Sequence, residues 1–178
     1  MEYIFPVLIF FALIFDRLNI FFFLLVSSVL HESGHIFACV LCKKKPQISA
    51  SVFGFKLSRY PDEKNKKLFV LASGPSVNLA IVIVAGILLK YSFSLQKYIF
   101  LNINFIIFVF NMLPVDFLDG GQIVQIFTQN TKLLKLIDIT SIIAVIIISV
   151  HFSGNKLHSL AAVALFITYY IINKLNLR

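Results

Sequence analysis

The stretch His31-Glu32-Ser33-Gly34-His35 lies inside an apolar run that extends from Leu18 to Cys42. It decides the fold, because an ionisable residue at the middle of a membrane helix costs roughly 2.5–3.5 kcal/mol on insertion scales. Two histidines and a glutamate in such a run are kept for their chemistry. On a helix, residues four apart share a face, with Cβ atoms about 5–6 Å apart. His31 and His35 can then reach one metal ion. Glu32 projects beside them, where it can hold a water bound to that ion. Two imidazole ligands and a carboxylate base at this spacing suit metal-assisted hydrolysis. The rest of the chain has to supply a third ligand and the walls of the site.

The surroundings fit a bilayer. Of the 178 residues, 59% are hydrophobic and 13% charged, and the mean hydropathy is +0.92. Several apolar runs approach the roughly 20 residues that cross hydrocarbon, and no polar stretch is long enough for a soluble domain. The expectation is one all-α polytopic membrane domain over residues 1–178. Apolar runs over 3–15, 18–42, 68–89, 98–113, 136–152 and 157–173 give about six transmembrane helices, of which the first and fourth are short for a full span. The first lacks a basic lead and a small-residue cleavage site, so it reads as a retained helix rather than a signal peptide.

Six spans put both termini on one side. That side carries twelve of the sixteen Lys and Arg residues, so it is the cytoplasmic one. Topology thereby accounts for the net charge of +8, and nucleic acid is not an expected partner. Cys39 and Cys42 fall near the same face, where thiols stay reduced, and read as packing residues rather than a disulfide.

Between the second and third runs, Ile48-Ser49-Ala50-Ser51-Val52 alternates apolar and polar residues as strands do. The expectation is a short β segment at the membrane surface, with Gly54 at a bulge or turn. The plainer alternative is an irregular amphipathic loop whose basic residues meet lipid headgroups. The third run opens with Ser73-Gly74-Pro75-Ser76-Val77-Asn78. Asn78 is an amide at membrane depth, either interhelical glue or a group that grips substrate.

The fourth run ends in Asn111-Met112-Leu113-Pro114-Val115-Asp116-Phe117-Leu118-Asp119-Gly120-Gly121. Pro114 cannot continue a helix and Gly120-Gly121 favours a turn. Broken backbone is tolerated at membrane depth only where protein or water covers it, so this segment is the natural source of the third ligand. The alternative is a surface loop whose aspartates cap the next helix. Asn78 and Asn111 are the candidates for holding the substrate or its oxyanion. His151 and His158 flank a loop on the far side, too distant to share the metal, and Asp138 reads as an interfacial charge.

Taken in order, these motifs resemble those of the site-2 protease family of intramembrane zinc metalloproteases. His31 to His35 matches H-E-x-x-H, Gly74 to Asn78 matches G-P-x-x-N on the next helix, and Asn111 to Gly120 matches N-x-x-P-x-x-x-L-D-G. The matched core covers about residues 20–125. The resemblance implies that Asp119, the aspartate of L-D-G, is the third zinc ligand. It also implies one Zn2+ per chain, with Glu32 as general base. The implied substrate is a transmembrane or membrane-associated protein, such as a transcription-factor precursor or anti-sigma factor, cut in or near its transmembrane segment. Asp116 falls outside the metal position of the motif.

The compact layout looks most like the branch that includes stage IV sporulation protein FB, here without a nucleotide-binding CBS domain. The implied location is the bacterial cytoplasmic membrane, with the site opening to the cytoplasm and a regulatory membrane protein as a further partner. Two other classes compete. A catalytically silent scaffold of the same fold would have no use for Glu32. A metal or proton transporter would show repeated pairs of broken helices, whereas the sequence has one break and no repeat.

Overall fold

The computed structural model describes residues 16, 18–46, 48–51, 54–57, 60–128 and 130–152. The apolar runs at 3–15 and 157–173, and His158 with them, lie outside these residues. The chain divides between Met112 and Leu113 into two units.

Among the described residues, the first unit is built on three helices. Helix α1 spans Ile20–Leu41. It starts where Asp16 accepts hydrogen bonds from the backbone N–H groups of Ile20 (2.8 Å), Phe21 (2.6 Å) and Phe22 (3.1 Å). These donors have no partner within the helix, and an anion at a helix N-terminus also complements the dipole. At the other end, Lys43 adopts the left-handed conformation at φ 56° and the helix stops. Strands β1 (Ile48–Ser51) and β2 (Gly54–Leu57) follow and pair antiparallel, with Ile48 opposite Leu57 and Ser51 opposite Gly54. Helix α2 spans Lys64–Tyr91 and carries Pro75 in its interior. Pro75 has no N–H for the Leu71 carbonyl, yet the helix continues for four more turns. Helix α3 spans Leu95–Asn111.

Helices α1 and α2 are long and apolar enough to cross a membrane by length and composition, and α3 is an apolar helix of 17 residues. The expected six spans thus reduce to two candidate spans among the described residues. The helices bury small and polar groups and expose large apolar ones. On α1 the buried stripe is Ser27, His31, Gly34, His35, Ala38 and Cys39, while Phe22, Val29, Phe37 and Val40 face outward. On α2, Val70, Leu71, Gly74, Pro75 and Asn78 are buried, while Ile83, Val84 and Ile87 face outward. A helix surface of that kind suits lipid as its solvent.

The two stripes meet at glycines. A Cβ on Gly34 would lie 2.8 Å from the Ser73 carbonyl oxygen and 3.2 Å from the Gly74 Cα. Only paired small residues let two helix backbones approach this closely. Cys39 is fully buried with Ala38 and Val70 next to this crossing, and both cysteines are free thiols.

The second unit contains α4 (Asp119–Phe127) and α5 (Thr131–Phe152). The segment expected as a loop over 114–135 therefore holds a helix. The turn before it is closed by hydrogen bonds from Val115 N–H to the Leu113 carbonyl and from Leu118 N–H to the Val115 carbonyl. A Cβ on Gly121 would run into the Val115 carbonyl, so only glycine lets α4 fold back on this turn. Asn130 caps α5 by accepting from Lys132 N–H at 3.1 Å and Leu133 N–H at 3.2 Å, as an N-cap side chain does. Asp138, expected as an interfacial charge, is buried, and its Oδ1 accepts from the Asp116 backbone N–H at 3.2 Å. Because α5 begins at Thr131, Asp138 lies in its second turn.

Candidate metal centre

His31 and His35 lie one turn apart on the buried stripe of α1, at 5% and 2% exposure. Neither ring is left to choose its own orientation. His35 Nδ1 lies 2.7 Å from the Val70 carbonyl oxygen of α2. His31 Nδ1 lies 2.6 Å from Oδ1 of Asn78, also on α2. A carbonyl oxygen only accepts, so each Nδ1 carries the proton and donates. The neutral rings then present their lone pairs at Nε2, the usual state of a metal-bound histidine whose other nitrogen is held by an oxygen.

The two Nε2 atoms converge to 3.2 Å, with the rings near-perpendicular at 83°. Two nitrogens bound to one tetrahedral zinc at Zn–N of about 2.0–2.1 Å stand about 3.3 Å apart. The observed spacing therefore suits a shared cation. Gly74 lies alongside both Nε2 atoms, and a Cβ there would collide with the His35 ring and come within 2.9 Å of His31 Nε2. The glycine of the second motif thus keeps that flank of the histidine pair clear, in addition to allowing the helix crossing.

Asn78 is fully buried and its amide is fully engaged. Its Oδ1 accepts from His31, and its Nδ2 donates to Asn104 Oδ1 (2.8 Å) and to the Ser27 carbonyl (3.4 Å). Asn104, on α3, donates in turn to Ser27 Oγ and to the Phe100 carbonyl, both at 2.9 Å. A polar network of Ser27, His31, Asn78 and Asn104 thus ties three apolar helices together at their core. Sequence reasoning did not single out Ser27 or Asn104. The available signal was that each is a lone polar residue in an apolar run.

The remaining expected residues fall as follows. Glu32 is on α1, half-buried, directly after His31. Asp119 opens α4 in the second unit and is buried, at 6% exposure. Asn111 closes α3, where its Nδ2 donates to the Ile107 carbonyl one turn back at 3.0 Å, so it takes no part in the network around His31. Asp116 is exposed, and His151 lies at the C-terminal end of α5.

No family model and no curated protein matches the chain.

Proposed function

We propose that the protein is an intramembrane zinc metalloprotease of the site-2 type, in which His31, His35 and Asp119 hold one divalent cation. The observation that carries this reading is the His31–His35 pair, with each Nδ1 donating to an oxygen and the two Nε2 atoms 3.2 Å apart. The donor set fits zinc, since two neutral imidazoles and a carboxylate are a common catalytic ligand set. Two neutral imidazoles would leave a dication uncompensated in a low-dielectric core, and the carboxylate of Asp119, the third ligand that the resemblance implies, would reduce that charge.

A zinc ion held there would supply a Lewis acid and lower the pKa of a bound water towards ~7. Glu32 would be the general base of the reaction and the group that returns a proton to the leaving amine nitrogen. The bonds to Asn78 and Val70 fix the Nδ1 protons of His31 and His35 and leave Nε2 of each ring for the metal. Asn78, with both amide ends engaged, acts on His31 rather than on the substrate oxyanion.

The substrate is a transmembrane or membrane-associated protein. Its helix must unwind locally, since helical hydrogen bonds shield the scissile amide. In a two-stranded sheet each strand has an edge that its partner does not pair, and that edge can take the unwound segment by strand addition. The proposal includes six spans, which rest on the apolar runs, a site facing the cytoplasm, which rests on the distribution of Lys and Arg, and a bacterial cytoplasmic membrane, which rests on the resemblance.

Purified protein in detergent is incubated with a membrane-spanning peptide, with and without a chelator. Cleavage that the chelator abolishes, and that Glu32→Gln loses while still binding zinc, supports the reading. A Glu32→Gln variant that cleaves normally overturns it, as does cleavage indifferent to the chelator. Proline introduced within β1 (Ile48–Ser51) should reduce cleavage without changing zinc content, and normal cleavage there removes strand addition from the account.

A further inference from the structure

The two histidines are held by different kinds of acceptor. The Val70 carbonyl that accepts from His35 belongs to the backbone of α2 and cannot turn round. The acceptor for His31 is a side-chain amide, and an amide rotated by 180° presents a donor instead. A rotated Asn78 would offer Nδ2 to His31 Nδ1, select the tautomer with its proton on Nε2, and remove the lone pair that a metal needs.

What prevents the rotation is a chain of hydrogen bonds that ends on backbone carbonyls. Asn104 spends both amide hydrogens, on the Phe100 carbonyl and on Ser27 Oγ. Its Oδ1 therefore faces Asn78. Asn78 spends both of its own amide hydrogens, on that Oδ1 and on the Ser27 carbonyl. Its Oδ1 therefore faces His31. Ser27, Asn78 and Asn104 are all fully buried, so no bulk water competes for these bonds. Reversing either amide would set a carbonyl oxygen against a backbone carbonyl, leaving buried groups unsatisfied at a cost of about 1–3 kcal/mol each.

We propose that Asn104, oriented by Ser27 and the Phe100 carbonyl, is a positioning residue for the metal centre: through the amide of Asn78 it fixes the His31 tautomer that bears its lone pair on Nε2. The inference rests on the metal-binding part of the function proposed above and on none of the proteolysis. Asn104 touches neither metal nor substrate. It works two hydrogen bonds away, from a different helix.

The test separates orientation from packing by rescue. Asn104→Leu frees the Asn78 amide to turn, and zinc affinity measured by competition with a chelator is expected to fall about 10–100-fold, the range for loss of an outer partner of a ligand histidine. Asn78→Asp in the Asn104→Leu background presents an accepting oxygen to His31 whichever way the group turns, and most of the lost affinity should return. If Asn104 only packs the helices, the added carboxylate brings no recovery, and the proposal is overturned. Unchanged affinity in Asn104→Leu also overturns it.

Nitrogen NMR of the metal-free, histidine-labelled protein reads the tautomer itself. The parent protein should carry the His31 proton on Nδ1, and Asn104→Leu should move a substantial population to Nε2. Should Asn104→Leu fail to accumulate, Asn104→Ala removes the amide without adding apolar bulk and is read in the same way. A parent protein that binds no zinc at His31 and His35 would end the metal reading. The tautomer measurement would still decide whether Asn104 sets the His31 proton.

Discussion

The two faces of α1 differ in a way that a water-soluble helix would reverse. Inward it presents Ser27, His31, Gly34 and His35, and outward it presents Phe22, Val29, Phe37 and Val40. In water the polar face would be outside and the apolar one would form the core. Here apolar side chains meet the surroundings at little cost only if those surroundings are lipid, and the polar groups are affordable inside only because each finds a partner. The same helix therefore carries both a candidate membrane span and the candidate metal site. Breaking each face separately distinguishes what each one does.

The largest effect should come from the inner face. His35→Ala removes a metal ligand, and zinc affinity should fall more than about 100-fold, beyond the range for an outer partner. Chelator competition checks this, with thermal unfolding of the metal-free protein as a control on the fold. On the outer face, Val29→Lys sets a charge near the middle of the helix. If that face meets lipid, the change should cost about 2.5–3.5 kcal/mol of insertion, seen as a smaller membrane-integrated fraction. If it meets water, the cost should stay within about 0.5 kcal/mol.

Gly74→Ala probes the seam between the faces. The new methyl meets the His35 ring, and overpacking of this kind costs about 1–3 kcal/mol. Stability and zinc affinity should both fall, whereas Gly86→Ala, whose Cβ would sit 3.7 Å from Leu101 Cδ1, should leave zinc affinity unchanged. The smallest effect belongs to the helix start. Asp16→Ala removes the acceptor for three backbone N–H groups and should cost about 0.5–2 kcal/mol, with zinc affinity intact in the folded fraction.

The inner face was readable in sequence as far as it is local. His31 and His35 sit four apart, so any helix through them makes the pair, and the apolar run 18–42 closely anticipates Ile20–Leu41. Helix α2 was harder to delimit. It begins at Lys64, four residues ahead of the apolar run, because a helix tolerates lysines in its first turn while a hydropathy pattern ends there.

The network behind His31 was not readable. Asn104 meets Ser27 across 77 residues of chain, and one polar residue in an apolar run does not say which other it pairs with. Asn78 could be read only as glue or gripper until its Oδ1 was seen on His31. The burial of Asp138 was not readable either, because the apolar run begins after the start of α5, so a residue in the second turn looked like an edge.

The central claim is that the Nε2 atoms of His31 and His35 ligate one cation. X-ray absorption at the zinc edge of the loaded protein tests it most directly. The account predicts two imidazole nitrogens at about 2.0–2.1 Å, with the imidazole signal lost in the His31→Ala/His35→Ala double variant. A metal environment without imidazole, or one that the double variant leaves unchanged, would contradict it.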